Sequence, residues 1–138
     1  MTEIKMKEFH LQIVTPDGVA FDGMAESLLV RSEMGDVEIM ASHADLFSSL
    51  GIGRARIKTS SESKNASVAG GFLSVCKNEV KLIATTFEFQ DAIDVERAKA
   101  ARDKAEEKLK NATADKEVLL AKAKLKRAFN RIDVASLK

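Results

Sequence analysis

The chain has 138 residues, 45% apolar and 31% charged, with a formal net charge of +1; this is the size of one domain with an appendage, and too apolar to be disordered. A single cysteine, Cys76, excludes an internal disulfide and a cysteine-rich metal site, and no apolar run approaches the roughly 18 to 20 residues needed to cross a bilayer. His10 and His43 are the only histidines, and there is no HExxH, GxSxG or GxxxxGK segment, so no metal, nucleophilic or phosphate-loop chemistry is indicated and an enzyme is not expected.

The opening residues carry Glu3 and Glu8 and no long apolar stretch; neither a secretory signal nor a transit peptide is read there, and a cytosolic or cytosol-facing place is expected. From Phe9 the pattern has period two. Phe9, Leu11 and Ile13 alternate with His10 and Gln12, which puts His10 on the more polar face of a strand. "TPDG" at 15–18 is a turn, with Pro16 presetting φ and Gly18 permitting positive φ. Further short strands are predicted in "AESLLVRS", "DVEIMA", "RARIKT", "ASVAGGFLSV" and "EVKLIAT". In "RARIKT" the cations Arg54, Arg56 and Lys58 alternate with Ala55 and Ile57, one face wet and one in the core. Cys76 is expected as a small buried strand residue. Many short strands at near-regular spacing predict a β-sandwich or flattened barrel over residues 1–90.

After Gln90 the period changes. Asp91 or Asp94 can cap a helix, and Ala98, Ala101, Ala105, Leu109 and Ala112 recur at spacings of three and four. Val118, Ala121, Leu125, Ala128, Ile132 and Ala135 repeat the pattern beyond the polar link "NATAD" at 111–115. An antiparallel helical hairpin over 91–138, zipped by an alanine-rich seam, is predicted, giving an α+β fold overall. An alanine methyl contributes at most about 0.8 kcal/mol on burial, so such a seam docks weakly against an ordering cost of about 1–2 kcal/mol per residue. Alanine's helix propensity keeps the helices formed when undocked. The tail is therefore read as an element that changes partners.

Charge divides the same way. Residues 1–92 hold 9 Lys/Arg against 13 Asp/Glu, and residues 93–138 hold 13 against 8. An acidic body with a basic tail seeks an anionic partner, whether protein, nucleotide or nucleic acid. A small binding module whose basic last helix engages nucleic acid is the alternative reading. The absence of Trp and Tyr, the acidic body and the lack of a nucleic-acid motif count against it. Arg127 and Arg131 are spaced i,i+4 with Lys124 one turn before, and Arg97 and Lys104 share one flank of the first helix. Such cations repel unless solvated or neutralised by phosphates or carboxylates.

Taken in order, "IVTPDGVAFDG", "GDVEIMASHADLFSSLGIG", "GGFLSV", "IDVERA" and "LKRAFNRI" resemble the ε subunits of bacterial F-type (rotary) ATP synthases over nearly the whole chain. The resemblance implies a non-catalytic rotor subunit, peripheral to the cytoplasmic face of the bacterial inner membrane. Its sandwich would bind the γ stalk and the c-subunit ring. Its hairpin, extended, would block hydrolysis by contacting the catalytic α and β subunits. The segment matching the ring contact is "SEMGDVE", with Ser32, Glu33, Asp36 and Glu38 expected to be exposed by its turn chemistry. Family members usually flank the loop histidine with prolines; here Ala41 and Asp45 stand beside His43 and Ala44, so the loop is less restricted before folding. His43 is read as a loop anchor or a titrating contact to ring or stalk. Some relatives close the folded hairpin with one regulatory ATP, and that pattern falls here on Glu88, Ile93, Asp94, Arg97, Ala98, Arg127 and Arg131. Lys104 stands where those relatives carry an arginine, and lysine lacks the bidentate phosphate fork. No other cofactor and no metal is expected.

Overall fold

The computed structural model describes residues 7–137, so the first six residues and Lys138 of the two expected units lie outside the described part. Eight strands come first: β1 Phe9–Thr15, β2 Gly18–Ala25, β3 Ser27–Ser32, β4 Gly35–Met40, β5 Leu46–Ser49, β6 Ile52–Lys58, β7 Ser63–Cys76 and β8 Glu79–Phe89. A 3₁₀ turn, Gln90–Ala92, leads to helices α1 (Val95–Asn111) and α2 (Asp115–Ala135). The predicted sandwich followed by a helical hairpin is the architecture found. β2 and β5 were not anticipated: β2 is an edge strand that pairs only with β1, and β5 has just four residues.

The strands run in the order β2-β1-β8-β7-β6-β3-β4, with β5 also on β7. The long hairpin β7–β8 makes two layers from this one sheet. Its outer end pairs β7 with β6, and its inner end pairs β7 with β5 and β8, in parallel, with β1. Gly70 (φ 72) and Gly71 (φ 112) sit where β7 passes from one layer to the other. A Cβ on Gly71 would collide with the Ile83 carbonyl of β8, so only glycine fits this close approach.

Alternation fills the core as read. Phe9, Leu11, Ile13, Ala55 and Ile57 are buried, together with Leu28, Val30, Ile39, Leu73 and Leu82. Cys76 departs from expectation and is exposed, because it ends β7 on the outer face opposite Glu79. The loop that lacks prolines is tied down instead by hydrogen bonds: the Lys77 N–H donates to Asp45 Oδ1 at 3.2 Å, and the Ser42 N–H donates to Asn78 Oδ1 at 2.7 Å.

Asp94 caps α1, its carboxylate accepting from the Arg97 N–H at 3.1 Å, while Asp91 falls in the 3₁₀ turn. The helices pack on each other through Ala98, Ala105, Ala121 and Ala128, all buried, with Leu109 and Leu125 half-buried. Two details differ from the predicted seam. Ala101 is exposed, and Val134, one step off the seam, is buried because α2 and not α1 lies on β6 and β7. α2 can sit close there because period-two register puts small side chains, Ala69 and Ser67, on that outer face. Among the described residues no helix is long and apolar enough to cross a membrane.

Candidate functional site

The outer face of β7–β8 is the floor on which the tail sits. Glu88 pairs in register with Ser67, so both point to that face, and α2 lays Asn130 and Arg131 over them. Arg131 Nε donates to Glu88 Oε1 at 2.6 Å, with both side chains about two-thirds covered. Asn130 Nδ2 donates to the Gly53 carbonyl and to Ser67 Oγ, each at 2.9 Å. The Gln90 side-chain amide donates to the Leu137 carbonyl at the end of α2. Four hydrogen bonds, from Arg131, Asn130 and Gln90, and a few small apolar contacts therefore hold the hairpin. A hydrogen bond to a charged group contributes about 1.5–3 kcal/mol and a neutral one about 1.

Beside these links lie two neighbouring hollows. One, about 540 Å³, lies between the sandwich and α1; Glu88, Asp94, Arg97, Ala98 and Arg131 line it. The second, about 220 Å³, lies between the helices and is walled by Lys104, Lys108, Lys124, Arg127 and Arg131. Arg131 and Ala101 border both. Of the five cations, only Arg131 has an acidic partner among the described residues. Packing like charges at helical spacing is unfavourable by a few tenths of a kcal/mol per pair, a repulsion that an anion placed between them would relieve.

The structure thus places Glu88, Asp94, Arg97, Ala98 and Arg131 on the first hollow and Lys104, Arg127 and Arg131 on the second. Ile93 lines neither hollow and is buried, 8% exposed, just before α1. Sequence reasoning missed Asn130 and Gln90 in holding the hairpin. A signal existed for Asn130: asparagine is a poor helix former, yet it sits inside a helix between Phe129 and Arg131.

The second predicted cluster is the β3–β4 turn. Glu33, Asp36 and Glu38 are exposed, as expected. Ser32 is a correction: at 2% exposure it is buried, because its Oγ donates to the Gly35 carbonyl at 2.7 Å and accepts from the Met34 N–H at 3.2 Å. It builds the turn and presents nothing. Asp36 is met by Arg31 Nε at 2.8 Å, and Glu38 by Arg56 at 3.9 Å, so the turn's acidity is partly balanced by its own sheet. Met34, at the tip, is 97% exposed. His43 lies at the other end of β4, half-buried, with Nδ1 2.7 Å from the Ala44 carbonyl.

A third surface had not been foreseen. On the outer face of β5, β7 and β8, Phe47 stacks on Phe72 with ring centroids 5.5 Å apart, and Ile83 lies opposite Phe72. All three are exposed. The signal was the pair Leu46–Phe47: adjacent apolar residues on a strand cannot both face one core.

On the same layer His10 stands between two carboxylates, with Nε2 2.6 Å from Asp22 Oδ1 and Nδ1 2.7 Å from Glu79 Oε2. A neutral imidazole has one N–H and serves one of them; the imidazolium serves both. The hydrogen bond to Asp22, then that to Glu79, raises the His10 pKa above its ordinary 6.5. A raised value means that the triad's stabilisation is complete below about pH 6.5 and fades as pH rises through the folded-state value. Proton-detected titration of the His10 imidazole should give a midpoint above 6.5, and Asp22→Asn should lower it. An unchanged midpoint in that variant would show that the carboxylate does not hold the proton.

Comparison with known proteins connects these features. The family model "ATP synthase, Delta/Epsilon chain, beta-sandwich domain" matches residues 8–90, and "ATP synthase, Delta/Epsilon chain, long alpha-helix domain" matches residues 91–136. The ATP synthase epsilon chain of Bacillus velezensis is 40% identical over 94% of this chain and 98% of that one. The epsilon chain of Bacillus subtilis is 39% identical over 94% and 98%. A chain of the Euglena gracilis mitochondrial ATP synthase shares the fold at TM-score 0.79 and 15% identity, covering 94% of this chain and 82% of that one. A sandwich followed by a basic two-helix hairpin, matched along both parts, places the chain among the epsilon chains of ATP synthase, in the delta/epsilon family.

Proposed function

We propose that the chain is a central-stalk rotor subunit of a bacterial F-type ATP synthase. Residues 1–90 act as the unit that joins γ stalk to c-ring, and residues 91–138 act as a mobile brake on ATP hydrolysis. Two solved assemblies with chains of this fold support the setting, one an F1/c-ring assembly and the other a central stalk with c-ring. In this reading Phe47, Phe72 and Ile83 dock the stalk with His43 beside them, and Glu33, Asp36 and Glu38 face the ring's polar loops. Charge complementarity there supplies specificity more than affinity. The subunit sits peripherally at the cytoplasmic face of the bacterial inner membrane, and its extended hairpin meets the catalytic α and β subunits.

The observation that carries the regulatory part is that Arg131 and Ala101 border both the hollow lined by Glu88 and Asp94 and the hollow lined by the cations Lys104, Lys108, Lys124 and Arg127. A nucleoside triphosphate suits these hollows: phosphates spread along the groove would neutralise both helices at once and keep them closed on the sandwich. Ligand at ten times Kd would add about 1.4 kcal/mol to the docked state. Calorimetric titration of the full chain with ATP tests this, against Lys104→Ala/Arg127→Ala. Arg131 is left intact because it also holds α2 through Glu88. Saturable binding that the double variant weakens at least tenfold is expected. No heat at millimolar ATP would leave a brake governed by partner contacts alone, and steeply salt-dependent binding of DNA or RNA would favour the nucleic-acid reading.

A further inference from the structure

The sheet face that carries Phe47, Phe72 and Ile83 also carries a cation. On β8 the side chains of Val80 and Leu82 are buried, so period two turns Lys81 outward together with Glu79 and Ile83. Lys81 is exposed, in register with Gln12 of β1 on one side and Ser74 of β7 on the other. Ser74 is in turn the partner of Phe47 on β5. Residues two apart on a strand are separated by about 7 Å and neighbouring strands by about 4.8 Å, which puts the Lys81 Cα about 7 Å from that of Ile83 and about 10 Å from that of Phe47. A partner surface wide enough to cover the stacked rings and Ile83 therefore covers Lys81 as well.

The carboxylates that could neutralise Lys81 from within the chain are engaged elsewhere. Asp22, which pairs with Gln12, has Oδ1 2.6 Å from His10 Nε2, and its Oδ2 accepts from the Gln12 amide at 3.4 Å. Glu79, two residues before Lys81 on the same side of β8, has Oε2 2.7 Å from His10 Nδ1. Asp45, just before β5, accepts from the Lys77 N–H at 3.2 Å. Among the described residues Lys81 forms no ion pair. By taking both nearby acids, His10 leaves the Lys81 ammonium to the solvent.

Exposed to water, a lysine ammonium is strongly hydrated and needs no partner. Beneath a purely apolar surface it would lose that hydration with nothing in return. We infer that Lys81 is a specificity-determining residue of this face, and that the surface seated on it presents a carboxylate opposite Lys81, framed by apolar side chains that meet Phe47, Phe72 and Ile83. The inference rests on the proposed docking of the stalk here, and it states the chemistry that the γ subunit brings to the contact. The apolar anchors supply most of the affinity, and the Lys81–carboxylate pair selects the partner and fixes its orientation.

Binding of the full chain to the γ subunit is measured kinetically at ionic strengths of about 0.05 and 0.5 M, where exposed charge pairs are respectively weakly and strongly screened. At the lower value Lys81→Gln is expected to weaken binding about tenfold and Lys81→Glu at least about a hundredfold, while Lys81→Arg stays within about threefold. Raising the salt should weaken the unmodified chain and narrow its advantage over Lys81→Gln. Melting curves of these variants are expected to match that of the unmodified chain, because Lys81 is exposed. If Lys81→Gln and Lys81→Glu both bind as the unmodified chain does, while Phe47→Asp/Phe72→Asp is still impaired, the inference is overturned and the docking of this face stands. If the Phe47/Phe72 variant also binds undiminished, the stalk assignment falls and the inference falls with it. Equal losses in Lys81→Gln and Lys81→Arg at both salt concentrations would assign the lysine stem to packing, which overturns the inference too.

Discussion

Gly71→Ala is expected to destabilise the sandwich by at least about 3 kcal/mol, whereas Gly70→Ala should cost about 1. The two residues are neighbours at the bend of β7, and both have positive φ, but their surroundings differ. At Gly70 a methyl group would meet only the Thr85 side chain, 3.1 Å from Oγ1, which can rotate. Gly70's φ of 72 also lies close to the left-handed region open to L residues. At Gly71 a methyl group would strike the Ile83 carbonyl and lie 2.9 Å from Ala84 Cα. That backbone cannot yield, because β8 is paired on both sides, with β7 and with β1. Gly71's φ of 112 is outside what a side chain tolerates. For a chain of this size about 3 kcal/mol lowers the thermal midpoint by roughly 10 °C. Thermal or urea unfolding of both variants decides the matter, and equal losses would show that the close approach at Gly71 is not what shapes the sheet.

Phe47→Asp/Phe72→Asp should weaken association with the stalk partner at least about a hundredfold, equivalent to about 2.8 kcal/mol. Each ring buried in an interface contributes about 1.5–3 kcal/mol, and stacked aromatics form the kind of compact anchor on which binding energy concentrates. The same change should leave stability nearly intact, since Phe47 and Phe72 are 71% and 47% exposed in the free chain. The check is co-purification or a binding titration with the γ subunit, alongside a melting curve. Undiminished binding would move the stalk contact to another face. Loss of binding together with loss of the fold would mean that the rings stabilise the sheet, and Phe47→Ser alone then separates the two effects.

Much of this was legible in the residues because it is local. Alternation over Phe9–Ile13 and Arg54–Lys58 states which side chains face inward, and the outcome needed nothing distant. Asp91 or Asp94 reads as a cap because capping is settled within a single turn, and it is Asp94 that accepts the Arg97 N–H. The cation spacing on α2 put Lys124, Arg127 and Arg131 on one face, and they do border one groove. Where the reading failed, the deciding contact lay elsewhere. Ser32 looked like an exposed turn residue, but its hydroxyl closes the turn from inside and its backbone bridges to Leu50. Ala101 fitted the helical repeat as well as Ala98 did, but a repeat of threes and fours leaves open which edge of the stripe meets the partner.

By itself the sequence determined the two-part order, the periodicity of each part, the charge contrast between them and the kinship with epsilon chains, because these are carried by spacing along the chain. Only the tertiary structure decided that α2 is the helix that lies on the sandwich. It also decided that Asn130 and Arg131 are the residues that hold it there, 77 and 43 positions from their partners Gly53 and Glu88. Contacts at such separations depend on sheet register and on where a bend falls. A single residue's shift in either would turn Glu88 or Ser67 to the opposite face of the sheet and unseat the hairpin.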